Sequence, residues 1–559
     1  MAPSVDSGAT EQSPLLGNSQ RITENSGSNT DGSKQNGTAD ASESIHQTET
    51  EACEDPAVLQ GRKNVKAMLP IVGIGIFLAF LDQVIVAAIN GQIGSELHAL
   101  RSVSWIATAY FLTMTASQPL YGKLSDVFGR KPCLLFAYTM FGLGSLGCGI
   151  TNSMAGLIAA RAIQGVGGGG MLILVTVLLS DFIPLRDRGT YQGYLNLIGA
   201  IGSTSGGPLG GLFVQSIGWR WAFLIQVILC LAAVIALSVF LRLPKRQSEI
   251  PVRKQFLRID FLGAVLLVLA VTSLLFGLDW GSNVSWQSPL AIASLSATVP
   301  LSLGFLLVET RFAVEPFTPG HIIFDKALVA CYIQNFFLYA AFTAFIFYLP
   351  LLFQVKIGMT PPQAGASLIP FAISAVIGTV LGGVIIKRTG KFYWLAVAAA
   401  ILATVGSVPL VVAPSLKRGS LPSLYVGSVI SLIPEGVTIT ASLLAIISNV
   451  SAADQAVATA CSFLFRSLGS AVGVSLVGIL IKVVFQMKLY ASLDSEDARQ
   501  IGQAISQSLD YINQLPPSLQ SIVRECYSSG IQAGFAVCTG VLLISTIATF
   551  CWRENKLSR

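Results

Sequence analysis

Residues 122–131 read GKLSDVFGRK, and residues 383–391 read GVIIKRTGK. In both segments a first glycine is followed seven positions later by a second glycine and then by a basic residue, and the two copies lie 261 residues apart. Each copy directly follows an apolar stretch that is long enough to cross a membrane. The chain therefore carries an internal repeat whose unit contains several apolar stretches.

Apolar stretches of this length recur along most of the chain. A helix that crosses about 30 Å of hydrocarbon needs roughly 20 predominantly apolar residues. Fourteen stretches meet that requirement, at residues 67–89, 103–121, 132–151, 155–180, 191–214, 221–243, 259–278, 289–308, 326–350, 362–386, 392–413, 423–447, 456–485 and 530–551. Because the repeat copies follow the second and the tenth stretch, the sequence predicts an all-α polytopic membrane protein with 14 transmembrane helices, arranged as two six-helix bundles with an inserted helix pair.

The repeat divides the predicted protein into five regions. They are a disordered cytosolic tail at 1–60, an N-terminal six-helix bundle at 61–243, an inserted helix pair with flanking loops at 244–325, a C-terminal six-helix bundle at 326–551 and a cytosolic C-terminus at 552–559. The tail contains ten acids, two bases and no aromatic residue, a composition that cannot bury a core. The segments on the tail's side, counted with Arg242 and Lys326 at the adjoining span ends, hold 22 Lys and Arg against 8 on the other side, which predicts that both termini face the cytosol.

The composition excludes several classes of protein. Only 64 of 559 residues are charged (35 basic and 29 acidic), too few to cover a soluble globular surface. The net charge of +6 is spread over short loops, so we expect no nucleic-acid partner. We find no phosphate-binding loop and no zinc-ligand spacing, and most of the nine cysteines lie in apolar stretches. We expect no enzymatic activity, no cofactor, no metal site and no disulfide framework.

The segment at 122–131 resembles the G-x-L-x-D-x-x-G-R-K loop signature of the major facilitator superfamily. The resemblance implies that Gly122, Asp126, Gly129 and Arg130 form a conformational latch, which holds one conformation and releases it as the two bundles rock. A simpler alternative is that the bases anchor a cytosolic loop. That alternative accounts for Arg130 but not for Asp126 between two glycines.

One acid and one arginine lie inside predicted spans of the N-terminal bundle. Asp82 lies in the first span, and Arg161 lies in the fourth span within the sequence LIAARAIQGVGGGG, which resembles the span-four signature of the same superfamily. Each lies about seven residues from the same side of the membrane, so we expect them at similar depth, at about 1.5 Å per residue. Two roles remain open: a permanent ion pair that braces the bundle, or a carboxylate that loads and releases a proton for coupling.

The fifth span carries a pattern of small residues that resembles the antiporters of this superfamily. Its members are Gly193, Gly202, Gly206, Pro208, Gly210 and Gly211. The proline stands one position later than the common pattern has it, and close helix packing explains the glycines almost as well as antiport does.

The C-terminal bundle contains two further ionisable residues near the middle of the membrane, Glu435 in span twelve and Arg466 in span thirteen. Two interpretations are open: the two side chains pair with each other, or Glu435 faces a cavity and binds a cationic substrate. Trp105, Tyr110 and Tyr339 are aromatic candidates for cation–π contact with such a substrate.

The sequence FLAFLDQVIVAAI at 77–89 resembles the fourteen-span drug:proton antiporter branch, and the wider pattern resembles fungal vacuolar basic amino acid transporters. This resemblance implies exchange of cytosolic basic amino acids for vacuolar protons. We expect the protein to work as a monomer. Glu11, Leu15 and Leu16 form an acidic dileucine pattern, which resembles signals that sorting adaptors read. Two alternatives stay open: a plasma-membrane exporter of drugs or metabolites by proton antiport, and a nutrient sensor that no longer transports.

Overall fold

A computed structural model describes residues 56–97, 104–183, 185–241, 260–283, 285–313, 319–359, 361–412, 420–451, 454–493, 495–507 and 509–554. Every regular element in these ranges is helical. Glu11, Leu15 and Leu16 lie outside the described residues, so the sorting signal stays a prediction.

Long helices overlap all fourteen predicted spans. In chain order they are α1 (Pro56–Glu96), α2 (Ser104–Phe128), α3 (Arg130–Ile150), α4 (Met154–Phe182), α5 (Leu185–Ser216), α6 (Arg220–Phe240), α7 (Phe261–Asn283), α8 (Pro289–Arg311), α9 (Lys326–Leu352), α10 (Ile369–Thr389), α11 (Tyr393–Val412), α12 (Ser420–Ser448), α13 (Gln455–Ser492) and α14 (Pro517–Phe550). Because α1 begins at Pro56, the last five residues of the predicted tail are helical. Helices such as α1, α5 and α13 run past the predicted ends because a hydropathy scan stops where polar turns begin, whereas backbone hydrogen bonding continues.

Twelve of these helices are long enough and apolar enough to cross a membrane. α2 is not among the twelve, and α7 has only the shorter apolar segment Leu262–Leu278. Large apolar side chains such as Phe136, Leu231 and Trp394 lie exposed on the outside of the molecule, where a bilayer would cover them. The all-α membrane fold is confirmed, and the count of fourteen spans stays a prediction.

Helices α1–α6 form one bundle and α9–α14 form a second. In the first bundle α1 packs on α5, α2 packs on α4, and α3 packs on α4 and α6. In the second bundle α9 packs on α13 and α14, α10 packs on α12, and α11 packs on α12 and α14. α7 and α8 pack on each other as a hairpin, and α7 also contacts α2 and α13. The inserted pair therefore lies against both bundles, through α2 of the first and α13 of the second.

The two bundles meet through related pairs of helices, α2 with α13 and α10 with α5. The first glycine of each repeat copy lies at one of these contacts. A Cβ atom on Gly122 would lie 2.7 Å from the Cβ of Ala460, and one on Gly383 would lie 2.4 Å from the carbonyl carbon of Gly189. The missing side chains thus allow the helices of the two bundles to approach closely.

We call the end of the molecule that carries residues 122–131 and 383–391 the motif face, and the other end the opposite face. An ion pair crosses between the bundles at the motif face, where Lys387 Nζ of α10 lies 2.7 Å from Asp187 Oδ1 of α5. Arg188 Nη1 also donates a hydrogen bond to Gln455 Oε1 of α13 at 3.2 Å. In this conformation the two bundles are therefore held together at the motif face.

Candidate functional site

Asp82 and Arg161 meet in the interior of the N-terminal bundle. Arg161 Nη1 donates a hydrogen bond to Asp82 Oδ2 at 2.6 Å, and the two side chains are 1% and 0% exposed, respectively. Their similar depth, expected from the sequence, thus corresponds to a direct ion pair. Because two charges buried in this way cost several kcal/mol each to remove from water, the pair needs further hydrogen bonds to be stable.

Two glutamines supply those bonds to the acid. Gln164 Nε2 donates to Asp82 Oδ1 at 3.0 Å, and Gln226 Nε2 donates to the same oxygen at 3.2 Å. Gln164 Nε2 also lies 2.9 Å from the hydroxyl oxygen of Ser145, which joins α3 to the cluster. The two oxygens of Asp82 thus accept three hydrogen bonds, out of the about four that a carboxylate can accept.

Arg161 has acceptors besides the acid. Its Nε donates to the backbone carbonyl of Ile106 in α2 at 3.0 Å, and its Nη1 also donates to Gln164 Oε1. The guanidinium carbon lies 4.3 Å from the ring centroid of Tyr110, within the range of a cation–π contact. The guanidinium can therefore remain bonded within the bundle if the carboxyl of Asp82 becomes neutral.

The fifth helix brings α1, and with it Asp82, into this position. A Cβ atom on Gly202 would lie 2.5 Å from the carbonyl oxygen of Phe77, and one on Gly206 would lie 2.9 Å from that of Leu81. These two glycines let α5 pack directly on the α1 backbone beside the acid. Two members of the antiporter-type pattern thus have a packing role in the first bundle.

The other members of the pattern lie elsewhere. Gly193 faces α10 of the second bundle, since a Cβ atom there would lie 2.7 Å from a methyl group of Val380. A Cβ atom on Gly211 would have no neighbour within 4 Å, Gly210 is buried, and Pro208 lies inside α5 on an exposed position. The pattern therefore serves two different contacts.

Glu435 and Arg466 are not paired with each other, which corrects one of the two interpretations of these residues. Glu435 Oε1 accepts a hydrogen bond from Ser431 Oγ at 3.1 Å on the same helix. Arg466 Nε donates to Asn335 Oδ1 of α9 at 3.0 Å, and its guanidinium lies 5.2 Å from the ring centroid of Tyr339. Position along a helix sets depth but not direction, and these two side chains point toward different neighbours.

The aromatic candidates have partners within the protein. Tyr110 is fully buried beside Arg161 and belongs to the ion-pair cluster. Trp105 lies near the opposite face, where its ring centroid is 5.2 Å from that of Phe276 and 6.3 Å from that of Trp280, both on α7. Contact of Trp105, Tyr110 and Tyr339 with a substrate remains a prediction.

Three of the predicted latch residues, Asp126, Gly129 and Arg130, lie together within the N-terminal bundle, whereas Gly122 contacts α13 of the second bundle. Arg130 Nη2 lies 2.9 Å from Asp126 Oδ1, and its Nε lies 2.7 Å from Asp181 Oδ2 at the end of α4. Gly129 has a φ of 91°, a backbone conformation that glycine adopts without strain, and separates α2 from α3. These ion pairs join α2, α3 and α4, and the latch role stays a prediction.

Sequence reasoning missed several polar residues of these clusters. Gln226 and Ser145 lie within apolar spans, and Asp181 ends one. A polar side chain inside an otherwise apolar span needs a protein partner, so this signal could have identified Gln226 and Ser145. The partner of Lys387, Asp187, could not have been identified in this way, because both lie in polar segments at the motif face.

Relatives and solved structures agree with this architecture. The chain is 35% identical over 498 residues to the vacuolar membrane amino acid uptake transporter fnx2 of Schizosaccharomyces pombe, covering 88% of this chain and 85% of that protein. It is 35% identical to the multidrug resistance protein fnx1 of the same yeast (87% and 92% covered) and 30% identical to the vacuolar basic amino acid transporter 2 of Saccharomyces cerevisiae (82% and 98% covered).

A crystal structure of the human organic anion transporter MFSD10 has a similar fold. The TM-score is 0.58 at 16% sequence identity, and the match covers 89% of this chain and all of that one. The family model described as Major Facilitator Superfamily matches residues 72–474. The resemblance noted from the loop and span motifs is thereby confirmed, and the chain belongs to the major facilitator superfamily of membrane transporters.

Proposed function

We propose that this transporter is a proton-coupled antiporter that moves basic amino acids from the cytosol into the vacuole. The observation that carries the proposal is the buried Asp82–Arg161 pair with its two glutamine donors. An intramembrane carboxylate of this kind is a default candidate for proton coupling. The motif face is taken as cytosolic, in keeping with the excess of Lys and Arg in its loops.

The geometry supports a switch centred on the acid. Protonation of Asp82 removes the negative charge that holds Arg161 Nη1, while Ile106 and Gln164 continue to accept from the guanidinium. Ile106 belongs to α2, and α2 packs on α13 of the other bundle. A change in the strength of the ion pair is thus transmitted to a helix that contacts the second bundle, where it biases the rocking of the two halves.

The substrate class comes from the relatives. Proteins named for amino acid uptake and for basic amino acids at the vacuolar membrane match this chain over more than four fifths of its length. Each pH unit of gradient is worth about 1.36 kcal/mol per proton, so one coupled proton supports about tenfold accumulation of substrate per pH unit. An acidic vacuole would therefore supply the driving force.

Uptake into proteoliposomes tests the proposal. The purified full chain is reconstituted with an acidic interior, and uptake of labelled lysine or arginine is followed before and after an ionophore dissipates the pH gradient. We expect uptake that requires the gradient and competition by unlabelled basic amino acids. Uptake that is unchanged when the gradient is dissipated would exclude proton antiport.

The variant Asp82→Asn separates the role of the acid from general damage. We expect it to lose gradient-driven uptake while still exchanging internal for external lysine, because the site is present but cannot release a proton. Glu525→Gln is the matched control, since Glu525 lies exposed near the opposite face. If Asp82→Asn keeps gradient-driven uptake at the level of the control, Asp82 is a structural partner of Arg161 and not the coupling group.

Efflux of drugs or other metabolites is a second candidate function. It is favoured by the similarity to fnx1, a protein named for multidrug resistance, which matches this chain to the same 35% identity. The same vesicles distinguish the two functions. Competition of lysine uptake by cationic drugs, together with placement of a tagged full chain at the plasma membrane, would support efflux, whereas placement at the vacuole with no competition would support amino acid uptake.

A further inference from the structure

Glu435 lies deep in the second bundle. It is thirteen residues from the end of α12 at Ser448, which is about 20 Å at 1.5 Å per residue. Its side chain is 0% exposed. The acid therefore lies near the middle of the membrane, far from water at either face.

The acid has one hydrogen-bond donor. Ser431 Oγ lies 3.1 Å from Glu435 Oε1 and also lies 3.1 Å from the carbonyl oxygen of Ala403 in α11, so its single proton is shared between two acceptors. The other carboxyl oxygen, Oε2, is buried and has no hydrogen-bond partner within the described residues. This differs from Asp82, whose two oxygens accept three hydrogen bonds, one of them from an arginine.

Among the residues that the structure describes, no cation compensates the charge of Glu435. From α14, Cys538 is close enough to interact electrostatically with the acid, and it is a neutral thiol or an added negative charge. From α13, Arg466 is bonded to Asn335 of α9 instead. No described residue forms a salt bridge with Glu435, and α10 and α11 contribute neutral groups such as Thr379 and Ser407 to the buried interior.

An ionised carboxylate in such a place is unstable. A charge that is buried without a partner pays the cost of leaving water with no attraction to offset it. A neutral carboxylic acid removes that penalty, and its O–H can donate to a neighbouring acceptor. The arrangement therefore fits the protonated form of Glu435 in the conformation that is closed at the motif face.

A small cavity lies beside the donor of this acid. It has a volume of about 10 Å³, close to the least that a single water molecule occupies. Its lining includes Ser431 and, towards the opposite face, Leu349, Leu368 and Phe371. Leu368 directly precedes α10 at that face, so the cavity lies between the hydrogen-bond donor of the acid and the opposite face.

We propose that Glu435 is a second proton-binding site, in the C-terminal bundle, which exchanges its proton with the two compartments during each transport cycle. This inference rests on the proposed function for the direction of exchange. With one proton carried at Asp82 and one at Glu435, two protons move per monovalent cation. The accumulation supported by each pH unit then rises from about tenfold to about hundredfold, and the exchange moves net charge.

The stoichiometry is measured in the proteoliposomes with the membrane potential held at zero. The logarithm of the lysine accumulation ratio is plotted against the pH difference, and we expect a slope of about 2 for the native chain and about 1 for Glu435→Gln. A slope of 1 for the native chain overturns the inference and leaves the proposed function standing. A slope of 0 for the native chain overturns the proposed function itself, and the two failures are thus distinguishable.

Infrared difference spectroscopy tests the protonation state without transport. We expect the native protein at neutral pH to show a carboxylic acid C=O band that shifts in D₂O and is missing from Glu435→Gln. Glu525→Gln removes an exposed carboxyl and should leave the band in place. The inference would be overturned if the difference spectrum, native protein minus Glu435→Gln, contained carboxylate bands and no C=O band. Normal folding of the variant would not change that conclusion.

Discussion

The contact between α5 and α10 predicts that Gly383→Ala weakens the closed motif face. A Cβ atom at residue 383 would lie 2.4 Å from the carbonyl carbon of Gly189 and 2.6 Å from the backbone nitrogen of Thr190. Both neighbours are backbone atoms, so no side-chain rotation relieves the clash. The helices must separate, and overpacking of this kind costs about 1–3 kcal/mol.

That cost applies only while the bundles touch at the motif face. Since each 1.36 kcal/mol is a factor of ten, the closed conformation should lose about 5- to 150-fold in population relative to conformations in which α5 and α10 are apart. Gly207→Ala is the matched control, because it lies in α5 and a Cβ atom there has no neighbour within 4 Å. Both changes gain a similar helix propensity, up to about 1 kcal/mol.

Hydrogen–deuterium exchange of the reconstituted protein provides the assay. We expect faster amide exchange in peptides from residues 185–196 and 376–389 of Gly383→Ala, and exchange like that of the native protein in Gly207→Ala. If the two variants exchange alike in these peptides, close approach at Gly383 does not hold the motif face closed, and the reasoning from steric fit is refuted.

Three further predictions concern charged groups. Because Ile106 and Gln164 still accept from Arg161 in Asp82→Asn, the unfolding free energy should fall by less than about 3–5 kcal/mol, the cost of an unpartnered buried charge, measured by thermal denaturation in detergent. Lys387→Asp should slow transport, and Lys387→Asp combined with Asp187→Lys should restore it if their 2.7 Å contact matters as an ion pair. Hydrogen bonds from Arg220 and Trp219 hold the pKa of Glu96 below its usual 4.5. The stabilising effect of the Glu96 carboxylate is therefore present above pH 4.5 and is lost as the pH falls through the lowered pKa. The difference in Tm between the native protein and Glu96→Gln should shrink on acidification.

The helices were largely predictable because membrane insertion depends on summed hydropathy. All fourteen predicted stretches coincide with long helices. The limits of this approach are visible in α7, whose apolar segment Leu262–Leu278 is short, and in α1, which begins at Pro56 within the predicted tail. In both places polar residues belong to a helix whose hydrogen bonding does not depend on the polarity of its side chains.

The candidate site was predictable only in part. The depth of each residue along its span correctly predicted that Asp82 and Arg161 lie together, because α1 and α4 turn the two side chains into the same bundle interior. The same reasoning failed for Glu435 and Arg466. Successive residues of a helix point about 100° apart, so equal depth does not decide whether two side chains face each other.

The sequence by itself determined that this protein is an all-helical membrane transporter built from a repeated bundle, since hydropathy, loop charge and the repeat are properties that add up along the chain. Only the tertiary structure decided which buried charges have partners. Asp82 received an arginine and two glutamines, whereas Glu435 received one serine hydroxyl. That difference arises from the rotation of each helix about its own axis, which is set by close contacts such as those of Gly202 and Gly206 with α1. Such contacts join residues far apart in the chain, and no local pattern encodes them.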